Sequence, residues 1–321
     1  MRERGIALPD FAWLCNSRTL VDCGNGTATA LHTARAAPVA IAAALPWADD
    51  DLLHARDIVI DATGSDAVAA RHAEWLARSI HVVTANKLGS GADAARAEAI
   101  ARAQRAGGTH YGDAATVGAG LPLLRTIRDL VAGGDRIHAI EGVLSGSLAW
   151  LFARFDDTRP FSDLVREACD AGYTEPDPRL DLCGEDVRRK LLILARAAGL
   201  TIDADAVRVD SLLPPGMDTT IPAAAALSAL DAPIAERFRD AHRSGAVLRF
   251  VARVDAGGAR VGMRAVPAAH ALCGGSGTDN RVAIFSDRYR TQPLVIQGPG
   301  AGAEVTAAAL LDDVLRIAAH P

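Results

Sequence analysis

The chain has 321 residues, half of them hydrophobic, with 4% aromatic residues and a net charge of −5 at pH 7. This length allows two domains, or one with a large insert, around a sizeable core. Scattered Lys and Arg argue against a nucleic-acid-binding surface. The five cysteines, Cys15, Cys23, Cys169, Cys183 and Cys273, show no CxxC spacing, which argues against a zinc site or a disulfide framework. The longest apolar stretch, Val39 to Trp47, is too short to span a bilayer, and no leader-like segment is present. The expected setting is a reducing cytoplasm, with no membrane and no nucleic acid as partner.

Phe11 to Cys15 reads as a strand, with Asn16-Ser17-Arg18 as its polar exit. Gly24-Asn25-Gly26 resembles part of a dinucleotide fingerprint, but the third glycine is absent and no good strand precedes it, so a surface turn is expected. From Asp57 the pattern sharpens. Asp57 to Ala62 is a buried strand, followed by Thr63-Gly64-Ser65 and an amphipathic helix from Ser65 to Ser79. Ile80 to Thr84 is a second strand, ending in Ala85-Asn86-Lys87. A helix from Ala92 to Gly107 and a short strand from Thr109 to Gly112 follow. Such a βαβαβ run implies parallel strands with right-handed crossovers and ligands beyond their carboxyl ends. Thr63, Ser65, Asn86 and Lys87 fall there. Lys87 could equally be a surface lysine.

Asp113 to Pro122 is a small-residue turn feeding a helix. Its free carbonyls suit a hard cation. Ile137 to Leu144 is a strand that runs through Ser145-Gly146-Ser147 into a helix from Leu148 to Phe155. That turn is either an anion site or a simple N-cap. The Pro- and Gly-containing stretch Asp210 to Pro222 is a connection, and Ile234 to His242 is helical. Strands are expected at Ala246–Val254, Arg260–Val266, Arg281–Ser286 and Leu294–Gln297, in an antiparallel or mixed sheet. The Gly298-Pro299-Gly300-Ala301-Gly302 turn before the last helix is either a cofactor contact or a tight strand-to-helix turn. The change of pattern places a domain boundary near residue 135.

The richest stretch is Gly172 to Leu200. Pro176 and Pro178 make its first part, through Cys183, a loop, which carries Glu175, Asp177, Arg179 and Asp181. A helix follows, with Glu185 and Asp186 in its first turn and Gly199 past its end. Val187, Leu191 and Leu194 form its apolar stripe. Lys190 lies at the edge of that stripe, one turn after Asp186. An inward lysine needs a carboxylate partner or a lowered pKa. The plain alternative is a snorkelling lysine in an ordinary ion pair.

Taken together, Asn16-Ser17-Arg18, Asp61 to Ser65, Val82 to Lys87, Thr116 to Pro122, Gly142 to Leu148, Gly172 to Leu194 and Gly298 to Ala307 resemble homoserine dehydrogenase. The likeness is strongest to the dehydrogenase half of bifunctional aspartokinase–homoserine dehydrogenases. It implies an α/β fold: a Rossmann-like parallel sheet over 1–135, completed by 300–321, and an α+β catalytic and dimerisation domain with a mixed sheet over 136–299. It implies NAD(P)H-dependent interconversion of L-aspartate 4-semialdehyde and L-homoserine, an activity of threonine, methionine and isoleucine biosynthesis. Carried over, Lys190 and Lys87 are the catalytic lysines. Thr174, Glu175, Asp181, Asp186, Gly146 and Ser147 bind substrate. Asn16, Ser17, Arg18, Thr63, Ser65, Asn86, Lys87, Gly300 and Gly302 contact the cofactor. Val117, Ala119 and Leu121 offer backbone carbonyls to a monovalent cation, Na+ or K+. A homodimer built on the catalytic-domain sheet is implied too.

The sequence departs from the family pattern in places. The first strand and Gly-x-Gly-x-x-Gly turn should precede Phe11, which leaves an N-terminally shortened domain. The position three before Val117, often acidic, is Ala114, with Asp113 one residue off. Leu88 follows Lys87, and paired aspartates after Arg179 are reduced to Leu180-Asp181. The alternative reading is a catalytically weak or inactive homologue that acts as a binding or partner subunit.

Overall fold

The computed structural model describes residues 9–38, 52–214, 227–275 and 277–319. Val39 to Trp47, and the Asp210–Pro222 connection beyond 214, lie outside the described residues.

Strands β3 (Ile58–Asp61), β4 (His81–Thr84) and β5 (Tyr111–Gly112) form a parallel three-stranded sheet in the order β3-β4-β5. β4 is buried at every position, as expected of the central strand of a parallel sheet covered on both faces. The helix expected over 65–79 is broken in two, α2 (Asp66–Ala69) and α3 (His72–Ala77). Helix α4 (Ala94–Gly107) is capped by the Asp93 side chain and stopped by left-handed Gly108.

The strand read at 11–15 is β1 (Trp13–Cys15), but it does not join the parallel sheet. It pairs antiparallel with β2 (Leu20–Asp22), and helix α1 (Thr27–Ala36) follows. A strand therefore does precede Gly24-Asn25-Gly26, contrary to the sequence reading. All three of those turn residues are exposed, as a surface turn requires.

The second sheet has six strands: β6 (Ile137–Val143), β7 (Val207–Asp210), β8 (Ala246–Asp255), β9 (Gly258–Pro267), β10 (Asp279–Ser286) and β11 (Leu294–Pro299). Their order is β11-β10-β6-β8-β9-β7, antiparallel except for the β7–β9 edge. The period of two divides its faces. Ile140, Ala252, Val254, Val282 and Ile284 point into the main core. Helices α5 (Leu123–Ala132), α6 (Gly146–Arg154), α7 (Phe161–Asp170), α9 (Glu185–Ala197) and α10 (Asp231–Arg243) contribute to the same core. Ala139, Glu141, Arg253, Asp255 and Phe285 point the other way, into a cleft of about 690 Å³.

Helix α8 (Arg179–Leu182) is a short turn inside what the prolines were expected to keep as loop. Pro178 does not run through it but sits at its N-cap, where no backbone donor is needed. The last helix, α11 (Ala303–Ala319), returns to the first sheet. There Val314 and Ile317 pack on Val83, and Asp313 accepts a hydrogen bond from the Ala114 amide at 3.0 Å.

Candidate active site

Helix α9 turns its stripe inward, and Lys190 goes in with it, only 8% exposed. Its ammonium is anchored twice, to Asp186 Oδ2 at 2.8 Å and to the Leu144 carbonyl at 2.8 Å. Lys87, from the loop after β4, reaches the other oxygen, Asp186 Oδ1, at 3.3 Å. One carboxylate thus holds two ammonium groups, one from helix α9 and one from the loop after β4. Burial alone would raise the Asp186 carboxyl, but Lys190 and Lys87 outweigh it and hold it at about 2. Asp186 is therefore ionised throughout the neutral range.

The acidic loop packs against this centre through Asp181. Its Oδ1 accepts from Ser147 Oγ at 2.7 Å and its Oδ2 from the Glu175 amide at 2.9 Å. Ser145 caps α6 by accepting from the Leu148 amide at 3.3 Å, so the N-cap reading of the Ser-Gly-Ser turn holds for that residue. Ser147 instead serves the loop. Gly146 is packed against Thr278, where an added Cβ would lie 3.0 Å from the Thr278 carbonyl. Thr174 Oγ1 donates to the Glu175 carbonyl at 2.9 Å. The Glu175 carboxylate is exposed and has no partner among the described residues. Asp177 is taken by Arg179, which holds its carboxyl below the usual range.

Beyond the carboxyl ends of β3 and β4, Thr63 is exposed and Ser65 caps α2. Asp61 gathers this region: Oδ1 accepts from the Thr63 amide at 2.9 Å and from Thr63 Oγ1 at 2.7 Å. Asn86 is buried. Its Nδ2 donates to Asp61 Oδ2 and to the Ser65 carbonyl, both at 2.9 Å, and its Oδ1 accepts from the Leu88 amide at 3.0 Å. With its side chain fully engaged, Asn86 ties the two turns together. The exposed Thr63-to-Ser65 turn and Lys87 form the sort of sheet edge that takes a nucleotide in parallel α/β folds, so the residues present fit the nicotinamide-bearing end of a dinucleotide.

Comparison with known proteins adds to this geometry. The profile described as homoserine dehydrogenase matches residues 122–315, and the profile of the homoserine dehydrogenase NAD binding domain matches residues 19–112. The bifunctional aspartokinase/homoserine dehydrogenase 2 of Escherichia coli is 45% identical over 267 residues, 81% of this chain and 33% of that protein. The homoserine dehydrogenase of Emericella nidulans is 38% identical over 278 residues, 82% of this chain and 75% of that one. The chain belongs to the homoserine dehydrogenase family. A solved protein of unknown function from Candida auris shares the fold at a TM-score of 0.83 and 35% identity, covering 96% of this chain and 90% of that one. The chain spans about a third of the length of the bifunctional relatives it matches.

In this member of the homoserine dehydrogenase family, the remaining expected residues sit as follows. Asn16 serves its own hairpin: Oδ1 accepts from the Arg18 and Thr19 amides, and Nδ2 donates to the Ala34 carbonyl. Ser17 is exposed, and Arg18 Nη1 donates to the Ala37 carbonyl at 3.2 Å. The hairpin nonetheless lies near Asp61 at the end of β3. Burial, with the nearby Asp61 charge, raises the Cys15 thiol. In the Val117–Leu121 turn, Gly118 and Ala119 take positive φ of 72° and 46°. Val117 and Ala119 are buried, and the Leu121 carbonyl already accepts from the Leu123 amide at 2.8 Å. Asp113, one residue off the usual acidic position, is held by Arg128 through two bonds of 2.6 and 2.7 Å. A cation at this turn would have to be held by carbonyls alone, because Arg128 takes that carboxylate.

Sequence reasoning missed Asn280, Asp61 and the Leu144 carbonyl. Asn280, 1% exposed on β10, donates to the Leu144 carbonyl at 3.4 Å, the same oxygen that holds Lys190. It also fills the space against Gly300, where a Cβ would collide with the Asn280 side chain. The Gly300–Gly302 turn is thus built around Asn280, and Gly302 takes φ 123°. Asp61 could have been singled out as a strand-end carboxylate. Nothing in the periodicity marks Asn280.

Proposed function

We propose that this chain is a homoserine dehydrogenase that interconverts L-aspartate 4-semialdehyde and L-homoserine with NAD(P)H in threonine, methionine and isoleucine biosynthesis. The observation that carries this reading is the Lys190–Asp186–Lys87 centre beside the β4 end. When bound, the nicotinamide cofactor supplies or accepts the hydride at the carbon bearing the oxygen. Lys190 and Lys87 stabilise negative charge on that oxygen; in reduction one of them gives it a proton as the ammonium and becomes the neutral amine, and in oxidation the neutral amine takes that proton back. Asp186 holds both lysines in place. Glu175 and Asp181 receive the substrate's ammonium group, with Thr174, Gly146 and Ser147 shaping that end of the pocket.

We place the cofactor along the ends of β3 and β4, against Thr63, Ser65, Asn86, Lys87, the Asn16-Ser17-Arg18 hairpin and the Gly300–Gly302 turn. Arg18 favours a 2′-phosphate and hence NADP(H). A Na+ or K+ ion is held by the carbonyls of Val117, Ala119 and Leu121. The domain change lies near residue 135, with α11 completing the first unit. Two copies pair through the charged face of the second sheet, in the cytoplasm. No described helix is long and apolar enough to cross a membrane.

The test is absorbance at the nicotinamide band during oxidation of homoserine with NADP+ and with NAD+. Turnover that depends on both substrates is expected. Absence of turnover at millimolar concentrations of each, with a folded protein, would reject the reading in favour of an inactive, binding homologue.

A further inference from the structure

We propose that Asp61, His72 and Tyr111 form a buried positioning chain that fixes the loop carrying Lys87. The proposal rests on the dehydrogenase reading for its catalytic consequence, though not for its geometry. His72 is fully buried at the start of α3, immediately after the break in the expected helix. Its Nε2 lies 3.0 Å from Asp61 Oδ2, and its Nδ1 lies 3.0 Å from the Tyr111 hydroxyl. The Tyr111 hydroxyl, on β5, lies against Gly89 in the loop after β4, where an added Cβ would meet it. The chain therefore starts at the end of β3, runs through His72 on α3 and ends at Tyr111 on β5, against the loop after β4.

Lys87 sits between the two anchored points. On its N-terminal side Asn86 is tied to Asp61 at 2.9 Å. On its C-terminal side Gly89 lies flat on the pair: a Cβ there would collide with the Tyr111 hydroxyl and stand 3.0 Å from His72 Nδ1. The Gly91 amide closes the turn onto the Lys87 carbonyl at 2.7 Å. A buried polar chain of this kind is retained only if each member is satisfied, and each here is. A displacement of about 1 Å in a reacting group can cost on the order of 10²-fold in rate. His72 and Tyr111 are thus positioning residues for Lys87, distant from the reacting atoms.

The experiment uses Tyr111→Phe, which removes one hydroxyl and keeps the ring, and His72→Gln as a second variant. Hydrogen exchange by mass spectrometry reads the geometry without any activity. Tyr111→Phe should raise exchange several-fold in peptides covering 86–91, and His72→Gln in 61–66 as well, with α9 unchanged. Unchanged exchange in 86–91, or a uniform rise across the protein, would overturn the proposal. Kinetics then tests the consequence. Tyr111→Phe should lower kcat about tenfold with homoserine KM within twofold. In a Lys87→Met background the same change should alter kcat less than twofold. An equal fall in both backgrounds would mean that Tyr111 acts on stability rather than through Lys87. If the wild type turns over no homoserine, the dehydrogenase reading fails, while the exchange result still decides the positioning chain.

Discussion

Replacing Asp186 with Asn keeps the shape of the side chain and removes the charge between two ammonium groups. Lys190 and Lys87 contact opposite oxygens of this carboxylate at 2.8 and 3.3 Å. At an effective dielectric near 20, an ion pair about 3 Å apart attracts by roughly 5 kcal/mol before desolvation. Removing one member of a fully buried pair costs roughly 3–5 kcal/mol. The Asp186 side chain is 44% exposed, so solvent screens part of that. About 2 kcal/mol of stability should be lost, a fall in the melting midpoint of roughly 3 °C for a chain this size. Activity should suffer more, because the two lysines would repel each other out of register with the developing oxyanion. A loss of about 10²-fold in kcat is expected, comparable to losing one preorganised electrostatic contact. Steady-state kinetics of homoserine oxidation and a thermal melt check both parts. A folded Asp186→Asn protein with kcat within threefold of the wild type would refute the view that this carboxylate organises the lysines.

The same carboxyl makes an acid-side prediction. Its folded value of about 2 lies below the ordinary 3.8, so its contribution is fully present above 3.8 and is lost as pH falls toward 2. The melting gap between wild type and Asp186→Asn should therefore shrink between pH 4 and pH 2, at roughly 1 kcal/mol after screening by solvent; a gap that stays constant over this range would contradict it. Glu175→Gln removes an exposed carboxylate that has no partner among the described residues, so melting should be unchanged. The homoserine KM should rise about tenfold, the loss of one charged hydrogen bond, and an unchanged KM would remove Glu175 from the pocket. Gly300→Ala drives a methyl group into the buried Asn280 side chain. A destabilisation of about 1–3 kcal/mol is expected from overpacking, and denaturant unfolding that shows none would mean the turn relaxes freely.

Much of the centre was legible because it rests on local rules. The stripe of Val187, Leu191 and Leu194 places Lys190 inward and Asp186 one turn before it, and both are found there. The runs around Ile58 and His81 give parallel strands because continuous apolar stretches suit a sheet covered on both sides. What could not be read depends on pairing across distance. β1 looks like a parallel-sheet strand by composition, but the choice of β2 as partner is made by tertiary contacts. The break between α2 and α3 has no proline or glycine to announce it. It falls where His72 turns inward to Asp61, a residue on another element. Asn280 is one polar position in an otherwise ordinary strand, and only the fold brings it to the Leu144 carbonyl.

The charge pattern explains why these pieces belong together. Two ammonium groups on one carboxylate leave a net positive charge at the Lys190 end. A chain of contacts runs from there through Leu144 and the Ser145–Ser147 hydroxyl pair at 2.9 Å to Asp181 and the Glu175 amide. At its far side stands the Glu175 carboxylate, exposed and without a partner among the described residues. The region is therefore polar from end to end, and under the proposed function its negative end would receive the α-ammonium group and its positive end the oxygen that gains charge. The short α8 turn after Pro178 sets Asp181 where it can join them, and with it the acidic loop becomes part of the same site as the lysines.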